Sequence, residues 1–463
     1  MLRLQAGQVE QLWDEVLPLA VRELPEDLAR IDRLLSDPAL LVPVAAHWAR
    51  EAQASGRRSE CHGRPTIPIE TYVRLMVIKQ RSGLGYETLV REVSDSLHLR
   101  RFCLISLDQE VPDESTVRKL TRRLGPDTVN ELTRALIAKA ASETRFRVRA
   151  VRIDSTVIEA DVKYPTDAGL ALQGARALAR SGRRLSELVG KGAGAVRDRS
   201  RSIGRRLRAA TRTARRRSGQ AKEEVLRLTA ETGKLLARSA REARRLAAKA
   251  RSKARGRGAK AKLRAAAKLE QLAERCERVA GQIKKRVAGE KITDRLVSLS
   301  DPDARPIRKG KLGKPNEFGY VEQICELTPN TKRGARGLIV PAASAPGNPT
   351  EDTLLPQTAS ELEALGICPR EVALDGGFNT GPSAETLAPL GLERVFISGR
   401  QEPASRRTRK RLQRYRTGAE GRISHLKRGY GLGRSRLKGD AGQRTWTGWA
   451  ILAYNLDTYG HYA

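Results

Sequence analysis

The sequence predicts an α/β protein with a helical N-terminal domain and a large basic helical segment set between two halves of a strand-containing core. Three observations carry this prediction. Apolar residues recur at three- and four-residue spacing through residues 1–145. Alternating strand patterns appear at 146–154 and return, interleaved with a helix, at 296–400. Between them lies a stretch of extreme charge: Ala171 to Glu290 carries 36 Lys and Arg against 10 Asp and Glu, a net of +26 in a chain of 463 residues and net +35. The expected organisation is therefore 1–145 helical, 146–169 the first part of the core, 170–295 a basic helical insertion, and 296–463 the rest of the core with C-terminal helices.

In the N-terminal region, Ile69, Tyr72, Val73, Met76 and Val77 share one helix face, and Gly83 and Gly85 end that helix. A second helix is expected from about Tyr86 to Leu97. A third follows Pro112, with Ser115 as its N-cap. Short Arg-studded helices suit a helix-turn-helix-like DNA reader, and they suit a plain helical bundle equally well. Phe146, Val148 and Ala150 alternate with Arg147 and Arg149, and Val151 and Ile153 lead to Asp154, a strand ending on a carboxylate. The basic segment has no Phe, Trp or Tyr and is rich in Ala, Leu and Arg, which predicts long helices, an antiparallel pair broken near Gly256 to Gly258. Further on, Val297–Ser300, Tyr320–Leu327, Gly337–Ala343, Glu371–Leu374 and Arg394–Ser398 read as strands. Thr353–Leu365, Arg406–Arg428 and Thr445–Tyr459 read as helices.

Composition narrows the function. Self-repulsion at +35 disfavours a compact state unless an anionic partner offsets it, and phosphate is the usual one. A membrane surface would call for basic amphipathic helices bearing Trp or Phe, absent from the basic segment. Cys61, Cys103, Cys276, Cys325 and Cys368 are scattered, odd in number and without a CxxC pair, so neither a disulfide framework nor a zinc site is expected. Residues 1–10 lack the pattern of a signal peptide, and no stretch reaches the roughly 18 apolar residues of a membrane span. A soluble cytoplasmic protein is the expectation.

Three acidic residues stand where chemistry is expected. Asp154 closes a strand; Asp375 closes another and precedes Gly376 and Gly377, which let the chain turn; Glu420 lies in a strongly basic helix. Cleaving a phosphodiester with water requires an activated nucleophile and a stabilised leaving oxygen, which two Mg²⁺ ions about 3.5–4 Å apart supply. Such ions take hard carboxylate oxygens. A single Asp at a strand end also serves as a turn cap, and Asp161 replaces Asp154 if the strand register differs. At about 100° per residue, Arg416, Glu420 and Lys427 share one helix face. They could hold a metal beside bound phosphates, or simply make an i,i+4 ion pair between Arg416 and Glu420.

Taken together, these residues resemble those of bacterial insertion-sequence DDE transposases whose third motif reads Tyr-x2-Arg-x3-Glu-x6-Lys. Arg416-x3-Glu420-x6-Lys427 matches its last three elements, whereas the Tyr position holds Gln413, with Tyr415 two residues later. Ile153-Asp154-Ser155-Thr156-Val157 with Tyr164-Pro165-Thr166-Asp167 resembles the first motif, and Ala373 to Phe378 the second. Gly347 to Asp352, Arg64 to Arg123 and Trp449 to Tyr459 add to the match, which covers most of the chain outside 170–295.

The resemblance implies a ribonuclease-H-like catalytic core with Asp154 on the first strand, Asp375 on the fourth and Glu420 on a following helix. It implies that these three bind two Mg²⁺ or Mn²⁺ ions. Water would then free a 3′-hydroxyl at a transposon end, and that hydroxyl would attack target DNA. Arg416 and Lys427 would hold backbone phosphates, the N-terminal helices would read terminal inverted repeats, and the insertion would grip DNA. The partner is double-stranded DNA, bound by a homodimer in the bacterial nucleoid. Glu351 and Asp352 read as helix N-terminal residues favoured by the dipole, and His425, Trp446 and Trp449 as packing residues. The alternatives are a non-catalytic basic DNA-binding protein, a metal nuclease on the same core, and a transposase that folds without acting.

Overall fold

The structure, a computed structural model, describes residues 1–7, 15–56, 64–144, 146–190, 192, 194–216, 218–256, 258–311, 314–400 and 405–461. Cys61 lies outside the described residues; the other four cysteines are free thiols. Two compact units are present, one of Met1–Asp161 with Tyr320–Ala463 and one of Val162–Gly319.

The first unit begins with helices α1 (Leu19–Arg22), α2 (Glu26–Leu35), α3 (Val42–Ser55), α4 (Ile69–Arg81), α5 (Tyr86–Asp95), α6 (Leu97–Phe102) and α7 (Glu114–Glu143). Helix α4 was expected to bury one face and instead is buried all round from Ile69 to Gln80. Its polar residues explain why this is tolerated. Arg74 is fully buried and donates to Glu70, to Asp32, to Ser36 Oγ and to the Phe102 carbonyl. Lys79 lies 4.1 Å from the Trp446 ring centre and 4.8 Å from that of Tyr86. A helix so enclosed has no face left for a DNA groove. The N-cap of α7 is Asp113, which accepts from the Ser115 and Thr116 amides at 2.8 and 3.1 Å, and not Ser115 as the spacing suggested. A kink at Gly125 (φ 66°), followed by Pro126, divides α7.

The sheet follows. Its strands are β1 (Ala150–Ala160), the later part of β3 (Lys314–Thr328), β4 (Leu338–Ile339), β5 (Ala343–Pro346), β6 (Glu371–Leu374), β7 (Arg394–Ile397) and β8 (Arg434–Ser435). Strand β1 lies between β3 and β6 and pairs parallel with β6, which pairs parallel with β7; β5 pairs antiparallel with β3. Helices α12 (Glu351–Ala364), α13 (Thr380–Leu387), α14 (Arg406–Gly429) and α15 (Asp440–Tyr459) complete the unit. Period-two alternation assigns the two faces of the sheet. Val151, Ile153, Val372, Leu374 and Ile397 join the main core with α7 and α12, while Ala150, Ala373 and Phe396 pack with Leu412 and Tyr415 of α14.

The second unit holds α8 (Asp167–Val189), α9 (Ser200–Ala214), α10 (Gly219–Ser252) and α11 (Ala259–Val287), with β2 (Arg305–Lys311) paired antiparallel to the start of β3. The expected antiparallel pair, broken near Gly256 to Gly258, is α10 and α11, and two further helices, α8 and α9, precede it. The Ala- and Gly-rich composition explains the close packing: a Cβ on Gly174 would lie 2.8 Å from Cys276 Sγ, and one on Gly233 2.8 Å from Ile283. Val297–Ser300 is not a strand; Leu296 and Leu299 instead close the helical core.

Candidate active site

Strand β1 does not end at Asp154, as its sequence pattern suggested, but runs on to Ala160. Its parallel pairing with β6 does end there. The last paired couple is Ile153 and Leu374, so Asp154 and Asp375 each stand one residue beyond it, side by side where the two strands part. Alternation also decides where they point. Asp154 shares the parity of Ala150, and Asp375 that of Ala373, so both face α14. Asp161 lies past the far end of β1, about 23 Å along the strand from Asp154 at roughly 3.3 Å per residue, which removes it as a substitute. Glu159 is taken up by Arg434, at 2.9 Å. Asp167, in the second unit, is buried between Arg286 and Arg295, at 2.8 and 2.9 Å.

Oxygens of Asp154, Asp375 and Glu351 lie within 4.8 Å of one another, close enough to hold a single metal ion. Glu351 opens α12, and its neighbour Asp352 is spent on joining α12 to α13, accepting from the Asn379 amide at 2.9 Å and from Ser383 Oγ at 3.2 Å. The glycines after Asp375 make the cluster possible by lacking a side chain rather than by unusual dihedrals. A Cβ on Gly376 would lie 2.9 Å from the Ser398 carbonyl oxygen, and one on Gly377 2.8 Å from the Glu351 carboxylate.

Glu420 is outside this trio, with its side chain 60% exposed, but Arg416 ties it in. One Arg416 Nη donates to Asp375 Oδ1 at 2.7 Å, and the other to Glu420 Oε1 at 2.6 Å. Both the expected i,i+4 pair and a cross-link to the sheet are therefore present. Arg416 is buried, and its Nε has no hydrogen-bond partner among the described residues. Lys427 is elsewhere: its Nζ donates to the Val157 carbonyl at 2.9 Å, anchoring α14 to β1.

Electrostatics mark Asp154. Burial first, then the negative charge of Asp375 and more weakly that of Glu420, push it up to about 6, against the pull of the Ser155 amide and Arg416. Clustered carboxylates with one raised in this way are a place where a divalent cation is welcome. Gln413, in the Tyr position of the third motif, accepts from Ser398 Oγ at 2.9 Å at the end of β7. Tyr415 is a core residue, its hydroxyl 2.6 Å from Thr328 Oγ1. His425 stacks edge-on with Tyr430 and Tyr454, and Trp449 with Tyr72. Glu351 is the residue that sequence reasoning missed. Its position at a helix start explained its charge without any chemistry, and only the return of α12 to the end of β6 brings it to Asp375.

Residues 27–123 match the family model described as a transposase domain (DUF772), which supports a transposase. An uncharacterized protein, ORF8 in the nfe locus of Rhizobium meliloti, is 29% identical over 158 residues, covering 33% of this chain and 76% of that protein. No solved structure matches. No helix among the described residues is long and apolar enough to cross a membrane.

Proposed function

We propose that this chain is an insertion-sequence DDE transposase, using Asp154, Asp375 and Glu420 to cut transposon ends and join them to target DNA. The observation that carries the proposal is the pair Asp154–Asp375, side by side where β1 and β6 part and facing the helix that bears Glu420. Among the strands β1, β3, β5, β6 and β7, Asp154 is on the first, Asp375 follows the fourth and Glu420 is on a later helix. That arrangement supports a ribonuclease-H-like core, and the transposase-domain match supports DNA as the partner.

The oxygen donors fit Mg²⁺ or Mn²⁺: carboxylates crowded within 4.8 Å, with Asp154 raised by burial and then by the charge of Asp375, have the hardness and the spare negative charge that such an ion requires. Ions bound by these carboxylates would supply the activation of a water and the neutralisation of charge on the reacting phosphate. The residues of the chain do the holding. Asp154 and Asp375 provide the inner ligands. Arg416, released from Asp375, is free to bind a backbone phosphate through its planar fork, and its release frees Glu420. Water forms a bond to phosphorus while the bond to the 3′ oxygen breaks, leaving a 5′-phosphate and a 3′-hydroxyl; that hydroxyl then displaces a 3′ oxygen of target DNA in the same way. Joining two ends in one reaction calls for a homodimer on DNA, in the cytoplasm and on the nucleoid.

The proximity of Glu351 to both aspartates favours a second ligand set, in which Glu351 replaces Glu420. One experiment separates the two. A labelled duplex carrying the element's end is incubated with Mg²⁺ or Mn²⁺ and wild type, Asp154→Asn, Asp375→Asn, Glu420→Gln or Glu351→Gln, each checked for DNA binding. The proposal expects nicking and joining by wild type and a loss of at least 100-fold in the two Asp variants and Glu420→Gln, with a smaller loss in Glu351→Gln. The reverse order for the two glutamates selects the second set. Tight binding without cutting by wild type discards the catalytic reading for a DNA-packaging one, and cutting without joining reassigns the protein as a nuclease.

A further inference from the structure

The excess charge of the second unit is not spread evenly. Many of its arginines are consumed internally: Arg199 by Glu242, Arg206 by Glu231, Arg244 by Glu277, Arg251 by Glu270 and Arg278 by Asp294. Two rows of cations are not. On α9, Arg201, Arg205, Arg208 and Arg212 are exposed and fall within about 60° of one another at 100° per residue, roughly opposite the buried Ile203 and Ala210. On α10, Lys234, Arg238, Arg241 and Arg245 repeat the same spacing, opposite the buried Leu236 and Ala243. None of these eight has an acidic partner within ion-pair distance among the described residues, and α9 has no Asp or Glu at all.

The two rows lie on the outward sides of neighbouring helices. The bridges Arg206–Glu231 and Arg199–Glu242 run α9 and α10 antiparallel and stitch them together along one seam. They also set the level of the rows, with Arg201 and Arg205 opposite Arg238 and Lys234. From the level of Arg212 to Arg245 the rows span roughly 30 Å at 1.5 Å per residue, close to one turn of duplex DNA at about 34–36 Å.

We infer that the α9–α10 face of the second unit is a sequence-independent docking surface for the phosphate backbone of double-stranded DNA, reading no bases. This rests on the DNA partner proposed above and assigns it a specific surface of the second unit, built from residues other than the carboxylates. The chemistry of the face selects a duplex over other polyanions. The helices have no aromatic residue on which single-stranded bases could stack. Among the described residues they have no exposed large apolar side chain to enter a membrane. Guanidinium rows on a rigid two-helix platform suit a regular row of phosphates.

The test uses the full chain and a labelled 30-base-pair duplex of arbitrary sequence, titrated from about 50 to 200 mM salt. The variant replaces Arg201, Arg205, Arg208, Arg238 and Arg241 with Ala, a residue that helices favour. A control with the same charge change replaces Lys260, Arg264, Lys268, Lys284 and Lys285 on α11. Removing a cation that neutralises one phosphate lowers the slope of log affinity against log salt by about 0.9, so removing five lowers it by up to about 4.5. The inference expects a slope reduced by at least 2 and affinity reduced at least tenfold in the variant, with the control near wild type and cleavage of a saturating end substrate unchanged. Equal slopes in wild type and variant, equal reductions in variant and control, or binding of anionic vesicles in preference to duplex would each overturn it. Wild type that binds no duplex at all fails the DNA-partner reading itself.

Discussion

At Asp154 the local energetics and the proposed chemistry oppose each other. A carboxyl raised from 3.8 to about 6 by burial and by Asp375 destabilises the metal-free fold whenever it must ionise. The sign follows from its direction: the folded pKa lies above the unfolded one, so the favourable contribution is complete below about 4 and is lost as pH rises through about 6. Asp154→Asn keeps an oxygen for the Ser155 amide and removes the charge. It is expected to match wild type near pH 4 and to exceed it by about 3 kcal/mol above pH 7, at 1.36 kcal/mol per pKa unit. Urea denaturation of metal-free protein at the two pH values reads this directly, and equal stability at pH 7 would remove the like-charge account. Asp154 and Asp375 were legible in the sequence because each follows a short apolar strand run. The contact of Arg416 with Asp375 was not, since it depends on how α14 crosses the sheet, and neither was Glu351.

The helix α14 is positioned by a buried ion cluster that no spacing rule reveals. Arg152, on β1, donates to Glu326 Oε2 at 2.8 Å and to the Tyr415 carbonyl at 3.0 Å, and Arg422 donates to the other Glu326 oxygen at 2.9 Å. Arg152 needs room at Gly418, where a Cβ would lie 1.9 Å from its Nη1, whereas nothing lies within 4 Å of a Cβ on Gly421. From the sequence both glycines only weaken the helix. The structure separates them. Gly421→Ala is expected to stabilise by about 0.5–1 kcal/mol, and Gly418→Ala to destabilise by about 1–3 kcal/mol through overpacking. Gly418→Ala is also expected to slow cleavage as Arg416 and Glu420 shift with the helix. Thermal melts of the two variants check the signs; a stabilised Gly418→Ala would show that Arg152 yields without moving α14.

For the whole molecule, a net charge of +35 is a standing repulsion that the internal ion pairs of the second unit relieve only in part. Screening relieves more, since the Debye length falls from about 30 Å at 0.01 M to about 8 Å at 0.15 M. Raising salt over that range is expected to increase the melting temperature of the free protein by several degrees, and a saturating duplex to increase it further by linkage. The measurement is a thermal scan with and without DNA. A melting temperature indifferent to salt would mean that the charges are already locally neutralised.

The sequence by itself determined what depends on neighbours along the chain. The helical and strand segments follow from the period of their apolar residues. The basic segment and its demand for an anionic partner follow from composition. The position of Asp375 just past a strand end, and the shared face of Arg416 and Glu420, follow from local spacing. Tertiary structure decided what depends on partners distant in sequence. Strand β1 outruns Asp154 because β8 and β3 support it after β6 has left. Helix α4 hides its charges because Asp32, Phe102 and Trp446 come to meet them. Glu351 enters the acidic cluster because α12 starts beside the end of β6, and the insertion presents two cation rows because its other arginines find glutamates on adjacent helices. Periodicity tells which way a side chain points, but what it meets there is set by packing between elements.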